Sequence, residues 1–261
     1  MTPSNGPGLI HGIEQTFSLA WRAIVQLRRN PWELGDYSFQ PILFLLLFVY
    51  IFGGAIAGSI SDALTYMLPG IVVMNMMFVT VYVGHGLNTD LTGGYFDRLR
   101  ALPVARWAPL AGRILADLVK QGWSIMLLMG LGWLMGFRME APIWGLAGMV
   151  LLVLVFALAF SWVSVLVGVV SRDPEHVHLF GFTALFPITF VSNVFVPVET
   201  LPPWLQAVVM ANPVSILTDA CRGLLLGGPW LGQALITLVW AVALIAVFAP
   251  LSLWALRRRL K

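Results

Sequence analysis

A chain of 261 residues that is 59% apolar and 10% charged holds more hydrophobic surface than one globular core can hide, because a soluble domain of this length would be about a quarter charged. The composition predicts an all-α integral membrane protein. The formal net charge of +3 comes from basic residues gathered near helix ends, with no basic groove interleaved with aromatics, which excludes nucleic acid as a partner. A single cysteine, Cys221, rules out an intrachain disulfide.

From Leu9 to Asn30 the apolar residues Ile13, Phe17, Trp21 and Ile24 recur at three- and four-residue spacing, while Glu14, Ser18, Arg22, Gln26 and Arg29 fill the other face. The pattern predicts a helix lying in the membrane interface, the alternative being an amphipathic helix packed on protein. No basic region leads into a short apolar core, so no cleaved signal peptide is expected. Asn30-Pro31 ends the helix.

Six spans of roughly 20 residues follow, near 37–57, 65–87, 109–136, 143–170, 177–197 and 231–256. Of the 15 Lys and Arg residues, all but Arg138 and Arg222 fall on segments that this layout puts on one side. The bias of basic residues toward the inside predicts that both termini are cytoplasmic, in the cell inner membrane.

Between the second and third spans, residues 88–113 read NTDLTGGYFDRLRALPVARWAPLAGR and carry Arg98, Arg100, Arg106 and Arg113. Tyr95, Phe96, Leu99 and Leu102 lie at spacings that share one side of a helix. A short amphipathic, Arg-rich helix at the cytoplasmic face is expected, presented to something in the cytosol. The connection from Val198 to Pro229 is too apolar for a free loop and too interrupted for a span. Pro202-Pro203 and Asn212-Pro213 divide it into short helices, expected to dip into the outer leaflet; a surface-lying hairpin is the alternative.

The chain lacks an energy source of its own. Its lysines, Lys120 and Lys261, are not followed by Ser or Thr, so a phosphate-binding G-x-x-x-x-G-K-[ST] loop is absent. His176 and His178 are two residues apart, a poor helical spacing for a metal, and no metal site is expected. Asp117 and Lys120 share a helix face and are expected to neutralise each other at the membrane boundary, tolerating amide substitution. His85 lies at the cytoplasmic end of the second span. Carboxylates or histidines deeper in the spans are lacking, which disfavours a proton relay. Gly54-x3-Gly58, Gly132-x3-Gly136 and Gly223-x3-Gly227 would permit close helix approach. The 11 Trp and 16 Phe fit interfacial belts, or a path for a bulky amphiphile.

One family gathers these features. Met67-Leu68-Pro69-Gly70, Asp90 through Pro103, Arg113 through Asp117, Asp173-Pro174-Glu175, Phe186 through Glu199, Asn212-Pro213, Asp219 and Arg222 follow one another in the order of that family. With them the chain resembles the permease subunit of a type-2 ABC exporter, of the daunorubicin-resistance-like branch.

The resemblance implies that Gly94, Tyr95, Phe96, Asp97, Arg98, Leu99, Arg100, Leu102 and Pro103 form a coupling helix seated on a separate ATPase. It implies a connecting helix over Leu9–Asn30, with Phe17, Trp21, Arg22, Arg28 and Arg29 toward the same partner. Residues 1–30 would thus be a cytoplasmic segment and 31–261 the transmembrane domain. Pro202, Pro203, Trp204, Asn212, Pro213 and Arg222 would belong to two re-entrant helices before the last span. No cofactor would be bound by this chain, with ATP and magnesium held by two ATPase copies. A second permease, self or sibling, would complete the pore. The expected cargo is a hydrophobic or amphipathic drug, natural product or lipid. Export of polysaccharide or lipid-linked glycan, a non-transporting partner of the ATPase and a membrane-embedded enzyme are the alternatives; for an enzyme no converging pair of polar groups can be assembled.

Overall fold

The computed structural model describes residues 31–93 and 108–259, and every regular element among them is helical. The expected connecting helix over Leu9–Asn30 and the expected coupling residues Gly94–Pro103 lie outside the described residues.

The first described helix begins at Pro31, whose missing N–H suits a first helical turn. Helix α1, Pro31–Leu46, widens into a π-helical stretch, Leu47–Phe52, and resumes as α2, Gly53–Ala57. Gly58 ends it in the left-handed conformation, at φ 77°. Ser59 then caps α3, Ile60–Thr92: its Oγ accepts from the Asp62 backbone N–H at 3.0 Å and donates to the Asp62 carboxylate at 2.7 Å.

Helix α3 is apolar on all sides, and 94% of its spanning window is buried. Its 33 residues, about 50 Å long, form the hub of the bundle. Around it pack α4 (Ala108–Leu134), α5 (Ile143–Val170), α6 (Pro174–Phe190) and α8 (Pro213–Leu226). Helix α9, Leu231–Arg259, lies along α5 and touches α8, with much of its remaining face exposed. Between α6 and α8 run non-helical backbone, a 3-10 turn at Val198–Thr200 and α7, Pro203–Ala211.

Five described helical stretches are long and apolar enough to cross a membrane: Ser38–Ile56, Ile60–Thr92, Gly112–Leu134, Ile143–Val170 and Leu231–Arg259. At the place of the expected span near 177–197 stands α6, 17 residues or roughly 25 Å, short of the hydrocarbon thickness by itself. The Thr189 and Ser192 hydroxyls donate to backbone carbonyls here, the Ser215 hydroxyl accepts from the Asn193 N–H, and the chain leaves α6 at Val191. The expected breaks at Pro202-Pro203 and Asn212-Pro213 are present, with Pro203 and Pro213 each opening a helix. Helix α8 inserts between α3, α5 and α9 and buries Val214, Leu217, Cys221 and Leu225; only Val209 of α7 is buried.

Helices meet backbone to backbone at glycines other than those picked out by spacing, most tightly at Gly145, where a Cβ would lie 2.1 Å from the Leu224 carbonyl oxygen. A Cβ on Gly84 would lie 2.2 Å from the Ser164 carbonyl oxygen, and one on Gly168 would lie 2.3 Å from that of Gly84. Backbone meets backbone there, between α3 and α5. Of the expected pairs, Gly54, Gly58, Gly136 and Gly227 face open space, while Gly132 meets Leu68 and Gly223 meets Trp230.

Candidate functional site

At one end of the bundle, α6 gives way to Val191–Val196, and the freed backbone groups are taken up by side chains from distant elements. Asn212, between α7 and α8, donates from Nδ2 to the carbonyls of Ile188 and Val191, each at 2.7 Å. Its Oδ1 accepts from the Val214 N–H at 2.9 Å, so one side chain closes α6 and opens α8. Ser215 Oγ accepts from the Asn193 N–H at 3.1 Å.

Arg222 completes this junction. Its guanidinium donates to the carbonyls of Asn193 (2.7 Å), Val194 (3.3 Å) and Tyr66 (3.1 Å), and to Asp219 Oδ1 at 3.1 Å. It also covers the Tyr66 ring, 3.7 Å from the centroid. Asp219 Oδ1 accepts from Asn193 Nδ2 as well (2.7 Å), and the Tyr66 hydroxyl donates to the Asn193 carbonyl (3.1 Å). Gly70 lets the Val194 backbone approach, since a Cβ would stand 2.8 Å from its carbonyl oxygen. Pro69-Gly70, Asn193-Val194, Asn212-Pro213, Asp219 and Arg222, scattered along the sequence, meet in one place. Pro202, Pro203 and Trp204 stand apart at the start of α7, and Trp204 is exposed.

The opposite end ties the other termini together. Arg113 of α4 pairs with Asp90 of α3 at 2.5 Å, closing the base of the segment 94–107. Asn88 donates to the carbonyls of Gly168 and Ser171, both at 2.8 Å, at the end of α5. Arg259 of α9 donates to the same end, to Val169 and, at 2.7 Å, to Ser171. Asp173 caps α6 by accepting from the His176 N–H at 3.0 Å, and that hydrogen bond holds its carboxyl below the ordinary carboxylate range. His85 is half-buried, its Nδ1 3.2 Å from the Pro174 carbonyl and its ring 4.2 Å from that of His178. Among the described residues no group of three or more potential metal ligands gathers.

Between the two ends a polar seam joins α3 to α4. Asn75 donates to Ser124 at 2.8 Å, and Gln121 to the Met76 carbonyl at 3.3 Å. One turn away, Lys120 pairs with Asp117 at 3.3 Å, their side chains 12% and 6% exposed. The expected pair is there, and both side chains are buried in the bundle. The spacing of Asp117, Gln121 and Ser124, one face of a helix, carried the signal for the seam, whereas Asn75 in an apolar run gave none. Asp117→Asn is therefore expected to destabilise the protein by removing the carboxylate from a buried ion pair. Thermal unfolding in detergent reads it; an unchanged Tm means that the pair adds nothing to stability.

Phenylalanines join the first span to the broken end of α6. Phe48 stacks on Phe195 at 4.0 Å and Phe186 on Phe190 at 4.1 Å, with Phe190 and Phe195 5.3 Å apart. Trp133, Trp144, Trp204 and Trp254 are exposed near helix ends, as an interfacial belt requires.

Residues 14–226 match the ABC-2 type transporter family. The chain is 38% identical to a daunorubicin resistance ABC transporter permease protein of Streptomyces coeruleorubidus, over 97% of this chain and 89% of the relative. It is 26% identical to a probable doxorubicin resistance ABC transporter permease protein of Mycobacterium tuberculosis, over 82% and 78%. A putative transport permease of Cyanophora paradoxa is 25% identical, over 84% and 77%.

Proposed function

This chain belongs to the ABC-2 type transporter family, and on that premise we propose that it exports a hydrophobic or amphipathic compound, driven by ATP that a separate subunit hydrolyses. As an integral membrane permease of this family it works with an ABC ATPase. In the proposed arrangement two ATPase copies carry ATP and magnesium, and a second permease completes the pore. Both termini face the cytoplasm. The chain crosses six times, α6 with the backbone after it making the fifth crossing and α9 the sixth. Helices α7 and α8 then form the re-entrant pair, a reading supported by the burial of α8 among α3, α5 and α9.

Residues 94–103 couple the two subunits. The Asp90–Arg113 pair carries that reading: a buttressed base turns a short amphipathic segment into a lever. ATPase closure would push on it, and α3, the buried hub, would pass the displacement on as rigid-body tilt. Phe17, Trp21, Arg22, Arg28 and Arg29 make a second contact with the ATPase. Relatives named for daunorubicin and doxorubicin resistance make a planar amphipathic drug the first cargo to test.

The test is co-purification in mild detergent from the native host, followed by an ATPase assay. Wild type is expected to bring down an ATPase and Leu99→Asp to lose it while remaining membrane-inserted, because a carboxylate on the apolar face of a helix-in-groove contact removes its anchor. Retention of the ATPase by Leu99→Asp sinks the docking assignment. A wild type that brings down no ATPase removes the energy source and with it the exporter reading.

A further inference from the structure

At the end of the bundle that holds the α5 and α9 C-termini, a groove of about 590 Å³ opens to the outside. Val170, Ser171, Arg172, Trp254, Arg258 and Arg259 line it, and no acidic residue is among the described residues of its lining. Arg259 is committed to the carbonyls at the end of α5. Arg258 lies over the Trp254 ring, 3.9 Å from its centroid, which holds the guanidinium at the groove wall. Arg172 is exposed and makes no side-chain hydrogen bond or ion pair among the described residues. The neighbouring Asp173 is turned into the α6 N-terminus, where His176 takes its carboxylate.

We propose that this groove binds the phosphate of an anionic phospholipid, with Arg172 and Arg258 on the headgroup and Val170 and Trp254 against the acyl chain. Three observations favour a lipid over a protein surface or a free anion. The apolar run of α9 ends at Leu256, so the arginines sit where hydrocarbon gives way to headgroups. Val170 and Trp254 are exposed and continue the lipid-facing surface of their helices straight into the groove. The site is cationic on one side and apolar on the other, the two chemistries of one amphiphile. A lipid bound there would bridge the α5–α6 connection to the end of α9, adding to the tie that Arg259 makes.

The experiment is native mass spectrometry of the delipidated full chain, titrated with phosphatidylglycerol or with phosphatidylcholine of matched acyl chains, and separately with inorganic phosphate. Wild type is expected to bind phosphatidylglycerol roughly 30-fold tighter, about 5-fold for each arginine facing the phosphate. Arg172→Gln combined with Arg258→Gln should bring the two lipids to parity, while Arg138→Gln at the other end keeps the preference. Should the double variant fail to fold, as judged by size exclusion, Arg172→Gln alone is expected to fold and lose about 5-fold. Equal binding of the two lipids by wild type overturns the proposal, as does a preference that survives in the double variant. Inorganic phosphate displacing the lipid at millimolar concentration makes the groove a free-anion site and overturns it too. Loss of a co-purifying ATPase with the lipid preference intact makes it a protein-docking surface instead.

Discussion

Arg222→Leu is expected to abolish a stably folded protein in detergent, because three backbone carbonyls lose their donor at about 1–3 kcal/mol each. The side chain is 12% exposed and feeds three backbone carbonyls, of Tyr66, Asn193 and Val194, besides the Asp219 carboxylate. Leucine fills most of the volume and supplies none of the donors. Two of those carbonyls belong to non-helical backbone, which has no neighbouring turn to fall back on. Arg222→Lys is expected to recover only part of the loss, because the three donors of one ammonium cannot serve three carbonyls and the Asp219 carboxylate from a place over the Tyr66 ring. Tyr66→Phe is the mild control: it removes one hydrogen bond to Asn193 and keeps the ring under the guanidinium, for about 1 kcal/mol. Thermal unfolding and monodispersity in detergent give the ranking. If Arg222→Leu ranks with Tyr66→Phe, the guanidinium is not what holds the broken end of α6.

Sequence reading recovered those parts of this arrangement that depend on local pattern. Long apolar runs marked the five helical stretches long enough to cross a membrane, and Asn212-Pro213 marked the break before α8, since proline and a capping residue act on their own neighbourhood. The Asp219–Arg222 spacing holds an ion pair within reach of one helix turn. The rest of the junction was illegible because its partners lie far off: Tyr66 is 156 residues from Arg222, and Asn193 is 29 away. Arg222 accordingly read as one of two basic residues left on the outer side, an orientation signal, when most of its donors are spent on backbone. Asp117–Lys120 was legible as a pair and illegible as a buried one, because spacing says who meets on a helix and not what covers them. The aromatic and basic face of residues 94–103 remains a reading of pattern alone, since those residues lie outside the described part of the chain.

Glycine shows the same limit most sharply, and it makes the second large effect. Gly84→Ala is expected to lower the melting temperature strongly, at about 3 kcal/mol or more, while Gly130→Ala raises it slightly. Both glycines sit inside long helices, where alanine is the better residue by about 1 kcal/mol. A Cβ on Gly130 meets nothing within 4 Å, so that helical gain is all that remains. A Cβ on Gly84 would stand 2.2 Å from the Ser164 carbonyl oxygen and 2.9 Å from its carbon. Those are backbone atoms in the middle of α5, and no rotamer can move them aside. The two helices would have to separate, and the Asn88 bonds to Gly168 and Ser171, one turn along the same seam, would stretch with them. Gly168→Ala should behave like Gly84→Ala, because its Cβ would meet the Gly84 carbonyl oxygen at 2.3 Å from the other side. Since α3 is the hub on which α4, α5, α6 and α8 all pack, a wedge at this crossing loosens the bundle as a whole. Equal and opposite shifts for Gly84→Ala and Gly130→Ala would confirm nothing by size alone; the sign decides. If Gly84→Ala stabilises the protein as Gly130→Ala does, α3 and α5 do not meet backbone to backbone, and the hub must be drawn differently.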